Sequence, residues 1–370
     1  MGVGEIISFL REKPGARVAL SGHARPDADS LGACFALADI LLSRGYRAIL
    51  PNPGFIQEKF HFLIRRELIV ETVDSRWWND QDIMGVIDCG EISRLPDANR
   101  DAASALPVFN IDHHVSSPGV GRAIWIESSA SSSSEMIFRL ARAAGWSLSP
   151  SAAQSLWTGI VADTGRFSQE NVTPESLEAA LGCLLAGASP VLTDTNLFQS
   201  VGQGERRLQG RMLDRLDMLA GGRLAASWVG MDDFREFELE PAGSYDLINL
   251  LRGIVGVEAA ILFSDVGAGI KVSVRTKGPH DAARIMARFD GGGHARAAGC
   301  SIRKSLEEAW RLVLSSVLDD FFPETEAGVI PDISVPAANC NQTDGKGNAP
   351  GIRNRIRGSE SLLRPPRSPI

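Results

Sequence analysis

The segment His23-Ala-Arg-Pro-Asp27-Ala-Asp29-Ser places one imidazole and two carboxylates within seven residues. Pro26 pre-sets the backbone. The alternation of Asp27 and Asp29 lets two carboxylates address two neighbouring ions, with His23 completing one of them. Histidine with several carboxylates and no thiolate is a hard donor set, better suited to Mn²⁺ or Mg²⁺ than to structural zinc. Asp88 in VIDCG, Asp112, His113 and His114 in IDHHVS, and Asp163 in VADTG supply further candidates. Their number suits two ions about 3.5 to 4 Å apart with one carboxylate bridging them. Such a pair would turn a shared water into hydroxide near neutral pH and clamp a phosphoryl oxygen for in-line attack, with no covalent intermediate. Each piece alone has a plainer reading: a solvated capping turn with Asp29 as helix N-cap, a turn beginning at Asp88, a helix end at Asp163 before Gly165. Taken together and in order, the four motifs favour metal.

Those residues need elements to carry them. Arg17 to Ser21 reads as a short buried strand, and Ala28 to Tyr46 has a helical apolar period at Leu31, Cys34, Phe35, Ala38, Leu41 and Leu42. Ile83 to Ile87 and Pro107 to Ile111 also read as buried strands, and each runs directly into an acid, Asp88 or Asp112. In a parallel α/β sheet ligands bind at the C-terminal strand edge, so these three strands predict one site. Helical patterns follow, including Pro150 to Ala162 and Pro174 to Ala186, then a charged, helical connector over about 194–218. A second α/β unit reads as strands at Leu224 to Val229, Glu258 to Phe263 and Ile270 to Arg275, with helices at Ala282 to Phe289 and Leu306 to Leu318. Beyond Glu324 the chain is rich in Pro, Gly, Asn, Ser and Arg without periodicity, which predicts disorder. The expected fold is α/β, with an N-terminal parallel-sheet domain and a smaller C-terminal α/β domain across a cleft. The expected boundaries are 1–190, a connector over 191–220, a second domain over 221–323 and a tail over 324–370.

Composition narrows the function class. Five scattered cysteines with no C-x-x-C pair support neither a disulfide framework nor a zinc knuckle and suggest a reducing, cytoplasmic setting. No apolar run reaches about 18 residues, so no membrane span is expected. The net charge is −7, and the chain from Pro331 on carries six Lys/Arg against three Asp/Glu, leaving −10 on the rest. A protein that tracks long nucleic acid presents a basic stripe, so a small anionic substrate fits this acidic body better than a long strand. His61 and His280 have no partners at ligand spacing and read as surface residues.

Together these motifs resemble the DHH phosphoesterase superfamily, and the second domain resembles its DHHA1 partner. The resemblance spans roughly residues 5 to 320 and rests on H-x-x-x-D-x-D, V-I-D, D-H-H and A-D-T-G followed by G-G-G-H-x-x-A-A-G. The layout is most similar to the NrnA-like group of bacterial oligoribonucleases and 3′-phosphoadenosine-5′-phosphate phosphatases. The resemblance implies one metal on His23, Asp27 and Asp88 and another on Asp29, Asp88, His113 and Asp163, with Asp88 bridging. It implies that Asp112 orients a ligand and that His114 donates a hydrogen bond to the scissile phosphate. In the second domain it implies that Arg275, Gly292, Gly293 and His294 hold substrate phosphate; with Gly291, the glycines would let backbone N–H groups approach an anion closely. Ser117 departs from the family pattern, in which an Asn commonly stands after D-H-H-x-S.

The activity so implied is hydrolysis of very short oligonucleotides (nanoRNA, linear dinucleotides such as pGpG) to nucleoside monophosphates, and of 3′,5′-bisphosphonucleosides (pAp). It would use two divalent ions, Mn²⁺ first and Mg²⁺ second, with no long nucleic acid and no membrane as partner. A homodimer is compatible. The alternatives are an inorganic pyrophosphatase, against which the G-G-G-H signature argues, and a non-catalytic nucleotide-binding protein, which should have lost metal ligands.

Overall fold

The computed structural model describes residues 2–115, 117–241, 247–324 and 330–331. The chain divides into two compact units, the first ending at Arg206 and the second beginning at Arg207.

In the first unit the elements run α1 (Val3–Arg11), β1 (Arg17–Ser21), α2 (Ala28–Ser43), β2 (Arg47–Pro51), β3 (Ile69–Val70), α3 (Ser75–Asn79) and β4 (Ile83–Ile87). They continue with α4 (Asp97–Ala105), β5 (Val108–Asp112), β6 (Ala123–Ile126), α5 (Ser133–Ala144), α6 (Pro150–Asp163), α7 (Pro174–Leu185) and α8 (Pro190–Asp194). The strands form one parallel sheet in the order β3-β2-β1-β4-β5-β6. Strands β4 and β5 are buried along their whole length, and β1 is buried at all but its first residue. A parallel strand covered on both faces has no polar side, which is why these segments read as largely apolar runs; the interior exception is Asn110 of β5, whose buried amide donates to the Val86 and Cys89 carbonyls. The order reverses direction between β1 and β4, and the crevice at such a switch point is where an open α/β sheet binds ligands. The chain leaving β1 carries His23, Asp27 and Asp29, and the chain leaving β4 begins with Asp88.

Helix α2 is buried on nearly every side and packs against β2, α5 and α6. Its approach to α6 depends on glycine. A Cβ on Gly32 would fall 2.4 Å from the Ser155 carbonyl oxygen, and one on Gly159 would fall 2.1 Å from Ser134 Oγ and 2.7 Å from Asp29 Oδ1. The close crossing brings Asp29, in the first turn of α2, towards Asp163, the last residue of α6. Gly159→Ala should therefore cost about 1 to 3 kcal/mol of stability, as overpacking in a tight interior does. Any gain in Tm on adding a divalent ion such as Mn²⁺ should shrink as well, because the added methyl pushes on Asp29. Thermal melts of both proteins with and without Mn²⁺ measure this, and unchanged values would show that the crossing is not tight.

The second unit begins within α9 (Gln203–Asp214). Next come β7 (Asp217–Leu219), β8 (Leu224–Val229), α10 (Met231–Glu236), α11 (Leu247–Arg252), β9 (Ala259–Asp265), β10 (Ile270–Thr276), α12 (Ala282–Met286), β11 (Gly292–His294), β12 (Ala297–Ile302) and α13 (Leu306–Phe321). Its sheet runs β11-β12-β10-β9-β8-β7 and is antiparallel except for the β8–β9 pair. Alternation along the strands sends Leu224, Ala226, Ile261, Val272 and Val274 to a core shared with α12 and α13. Ala225, Ala260 and Leu262 face the other way, into a core with α9 and α11.

Two expectations need correction. The helical reading of 194–218 stops short: Asp217–Leu219 is a strand paired with β8. His280 is not a surface residue, since its side chain is 10% exposed, bonds Glu258 Oε2 at 3.0 Å and stacks on Phe321. The glycines of G-G-G-H lie at and in edge strand β11, where close strand contact demands two of them. A Cβ on Gly291 would meet the Gly299 carbonyl oxygen at 2.4 Å and one on Gly293 that of Ala297 at 2.4 Å, whereas Gly292 has open space. The tail read as disordered lies outside the described residues apart from 324, 330 and 331. Among the described residues no single helix is long and apolar enough to cross a membrane.

Candidate metal centre

Asp27, not Asp29, caps α2: its Oδ1 accepts from the Asp29 and Ser30 amides, each at 3.0 Å. This leaves Oδ2 free to point along the loop, 3.9 Å from His23 Nε2. Asp29 is 1% exposed, and its two oxygens accept from the first amides of α5, Ser133 at 2.7 Å and Ser134 at 2.9 Å. Asp88 follows β4 with φ +57, a left-handed conformation that costs a non-glycine residue about 1 to 3 kcal/mol unless its surroundings demand it.

The surroundings are ligand groups. Asp88 Oδ2 lies 3.6 Å from His23 Nε2, and Asp88 Oδ1 lies 3.6 Å from His113 Nε2. His113 Nε2 is also 3.9 Å from Asp29 Oδ2 and 3.3 Å from Asp163 Oδ2. Among the described residues three groups therefore gather donor atoms within 4.8 Å of one another: His23, Asp27 and Asp88; Asp29, His113 and Asp163; and Asp88, His113 and His114. Asp88 belongs to the first and third, and its two oxygens face different neighbours.

The electrostatics call for a cation. Burial, then the charges of Asp29, Asp27, Asp163 and Asp112, pushes the Asp88 carboxyl well above its ordinary value. Burial, then Asp29 and Asp27, does the same to Asp163, and burial raises Asp29 although His113 opposes it. Asp163 also ends α6, where the negative end of the helix dipole disfavours another negative charge. Among the described residues no Lys or Arg pairs with any of these carboxylates. Buried carboxylates crowded together without a Lys or Arg beside them are costly to ionise, and oxygen-rich, thiolate-free donors fit a divalent ion.

Asp112 and His114 form a separate pair. His114 Nδ1 lies 2.7 Å from Asp112 Oδ1. That bond, against burial, raises the imidazole above its ordinary value; on Asp112 burial pushes upward, but the bond and charge of His114 hold the carboxyl below its usual range. With Nδ1 committed to Asp112, the ring can present only Nε2 elsewhere.

Residues 17–160 match the DHH family, N-terminal domain, and residues 221–321 match the DHHA1 domain. The chain carries a DHH domain followed by a DHHA1 domain. It is 29% identical over 304 residues to a Bacillus subtilis protein named bifunctional oligoribonuclease and PAP phosphatase NrnA, covering 80% of this chain and 92% of that protein. A Thermus thermophilus protein of the same name is 28% identical over 315 residues, covering 84% of this chain and 91% of that one. An exopolyphosphatase-related protein from Bacteroides fragilis shares the fold, with a TM-score of 0.78 at 22% identity over 87% of this chain and 97% of its own.

The DHHA1 candidates lie in register. Arg275 on β10 and His294 on β11 both pair with Ala297 of the intervening β12. Residues directly opposite one another share a sheet face, so Arg275 and His294 stand in one row on one face, two strand spacings or about 10 Å apart. What sequence reasoning missed in the DHH domain is the buried run Ser131 to Glu135. Its S-x-x-E pattern, Ser132 to Glu135, marks a helix start, but not that this start would meet Asp29 and Asp88.

Proposed function

We propose that this DHH–DHHA1 chain hydrolyses very short oligonucleotides to nucleoside monophosphates and removes phosphate from 3′,5′-bisphosphonucleosides, using two divalent ions with Mn²⁺ preferred. The observation that carries this reading is Asp88, whose two carboxylate oxygens face separate donor groups on the two sides of the sheet's switch point. His23, Asp27 and Asp88 would hold one ion, and Asp29, Asp88, His113 and Asp163 the other. Bound there, divalent ions supply hydroxide from water near neutral pH and neutralise charge on phosphoryl oxygens. His114, oriented by Asp112, would donate from Nε2 to the scissile phosphate, and Arg275 with His294 would hold a second phosphate of the substrate. Names carried by the curated relatives, oligoribonuclease and PAP phosphatase, denote hydrolysis of phosphoester bonds and support the substrate class. Inorganic pyrophosphatase is not favoured, because residues 221–321 match DHHA1, and a non-catalytic role is disfavoured by the complete donor set.

The substrate class is tested by incubating the Mn²⁺-loaded protein with a 5′-phosphorylated dinucleotide, pAp, a 24-mer, a cyclic dinucleotide and pyrophosphate, then resolving products. Monophosphates from the dinucleotide and AMP from pAp are expected, with the 24-mer largely intact. Turnover of pyrophosphate alone would overturn the reading.

The raised carboxyls give a pH signature in the metal-free protein. A carboxyl whose folded value is raised contributes stability below its unfolded value and loses it as pH rises through the folded value. The contribution of Asp88, Asp163 and Asp29 to the chelated protein should therefore fall as pH climbs from the ordinary carboxylate range towards neutrality. Mn²⁺ competes with those protons, so the gain in Tm on adding Mn²⁺ should grow with pH across that window. Melts in EDTA and in Mn²⁺ at a series of pH values check this, and a gain that shrinks towards neutral pH would contradict it.

A further inference from the structure

Asp88 is the residue on which both ligand groups depend, yet a carboxylate's terminal torsion is broad and two-fold and does not by itself direct one oxygen to each side. The structure shows what restrains it. Ser133 Oγ, wholly buried at the start of α5, donates to Asp88 Oδ1 at 3.0 Å. Oδ1 is the oxygen that faces His113 and His114, so Oδ2 is left for His23. The same turn of helix supplies the two amides that hold Asp29. Asp29 comes from the loop after β1 and Asp88 from the end of β4, so one rigid helix start ties together carboxylates from the two sides of the switch point.

We propose that Ser133 is the positioning residue of the metal centre: its hydroxyl fixes the rotation of the Asp88 carboxylate so that one oxygen serves each ion, while the Ser133 and Ser134 amides set the distance from Asp88 to Asp29. This rests on the metal reading given above. It assigns work to a residue type that is not itself a ligand and that the ligand motifs do not contain. Removing the hydroxyl leaves both amides in place, so Ser133→Ala separates the orientation of Asp88 from the anchoring of Asp29. Groups that orient metal ligands through one hydrogen bond typically change metal affinity or activity by about 10- to 100-fold when removed.

The test is a calorimetric Mn²⁺ titration of the full chain, joined to the electron paramagnetic resonance spectrum of the Mn²⁺-loaded protein. It compares wild type, Ser133→Ala, Ser133→Cys and Ser131→Ala. Ser133→Cys keeps the size and replaces the hydroxyl by a poor donor, so it covers the case in which Ser133→Ala fails to fold. Ser131 is as buried as Ser133, and its hydroxyl has no hydrogen-bond partner among the described residues, so it reports loss of a hydroxyl from the same segment. We expect both Ser133 variants to bind Mn²⁺ about 10- to 100-fold more weakly and to lose the exchange-coupled signal of paired ions. Their kcat should fall with substrate KM little changed, while Ser131→Ala follows wild type. Ser133 variants that keep wild-type affinity and coupling would overturn the proposal even though the metal reading stood, as would Ser131→Ala losing as much. A wild type that binds no Mn²⁺ would overturn both.

Discussion

Asp88→Ala is expected to lower turnover of a 5′-phosphorylated dinucleotide by several orders of magnitude while leaving the fold largely intact. The size of the effect follows from position. Among the described residues Asp88 is the one carboxylate with an oxygen 3.6 Å from His23 and another 3.6 Å from His113, so its loss weakens both proposed ion sites together. Water cannot replace its charge, and metal activation of the nucleophile disappears along with neutralisation of the transition state. The fold should survive because the substitution also removes a carboxyl that burial, and then its acidic neighbours, make costly to ionise. Two opposing effects bear on stability: loss of a costly charge, and alanine held at φ +57. Their sum is expected within about 2 kcal/mol of wild type in the metal-free protein. Recovery of more than about a tenth of wild-type kcat in saturating Mn²⁺ would remove Asp88 from the centre of the mechanism.

The second large effect belongs to Arg275 and concerns substrate choice. Arg275 and His294 stand in one row of the DHHA1 sheet, and a guanidinium can pair with a phosphate through two parallel hydrogen bonds, fixing distance and direction. In the proposed role they read the terminal phosphate of a short substrate. Arg275→Ala should then reduce kcat/KM for a 5′-phosphorylated dinucleotide much more than for a dinucleotide lacking that phosphate, with Mn²⁺ content unchanged. The expected difference is about 1.5 to 3 kcal/mol, the range for a hydrogen bond to a charged group, or roughly a 10- to 150-fold change in discrimination. Equal losses on both substrates would show that Arg275 does not read the terminal phosphate.

What was legible in the sequence follows from how each part is stabilised. Strands β1, β4 and β5 are short and covered on both faces, so an apolar run marks each without any partner being known, and in β4 and β5 that run leads to an acid. The short β3, with both residues half-buried, and the alternately buried β6 carry weaker signals. Strands β11 and β12 are hidden by composition: Gly292, Gly293, Ala297, Ala298 and Gly299 suit close backbone contact but carry no alternation of large apolar and polar side chains. The candidate donor residues, which the structure gathers into neighbouring groups, were legible because donor chemistry is written in side-chain type and local spacing. The cap was misassigned because Asp27 and Asp29 are equally good N-cap residues, and only the helix start decides between them. His280 read as exposed because its partners, Glu258, Phe321 and Phe322, are at least 22 residues away in sequence. Ser133 was invisible for the same reason, since its meeting with Asp88 spans 45 positions.

The account turns on one carboxylate serving two ions, and anomalous diffraction from crystals of the Mn²⁺-loaded protein measures that directly. Two anomalous peaks about 3.5 to 4 Å apart are expected, one beside His23 and Asp27 and the other beside Asp29, His113 and Asp163, with one Asp88 oxygen on each. A single peak, or two peaks with both Asp88 oxygens on the same ion, would contradict it.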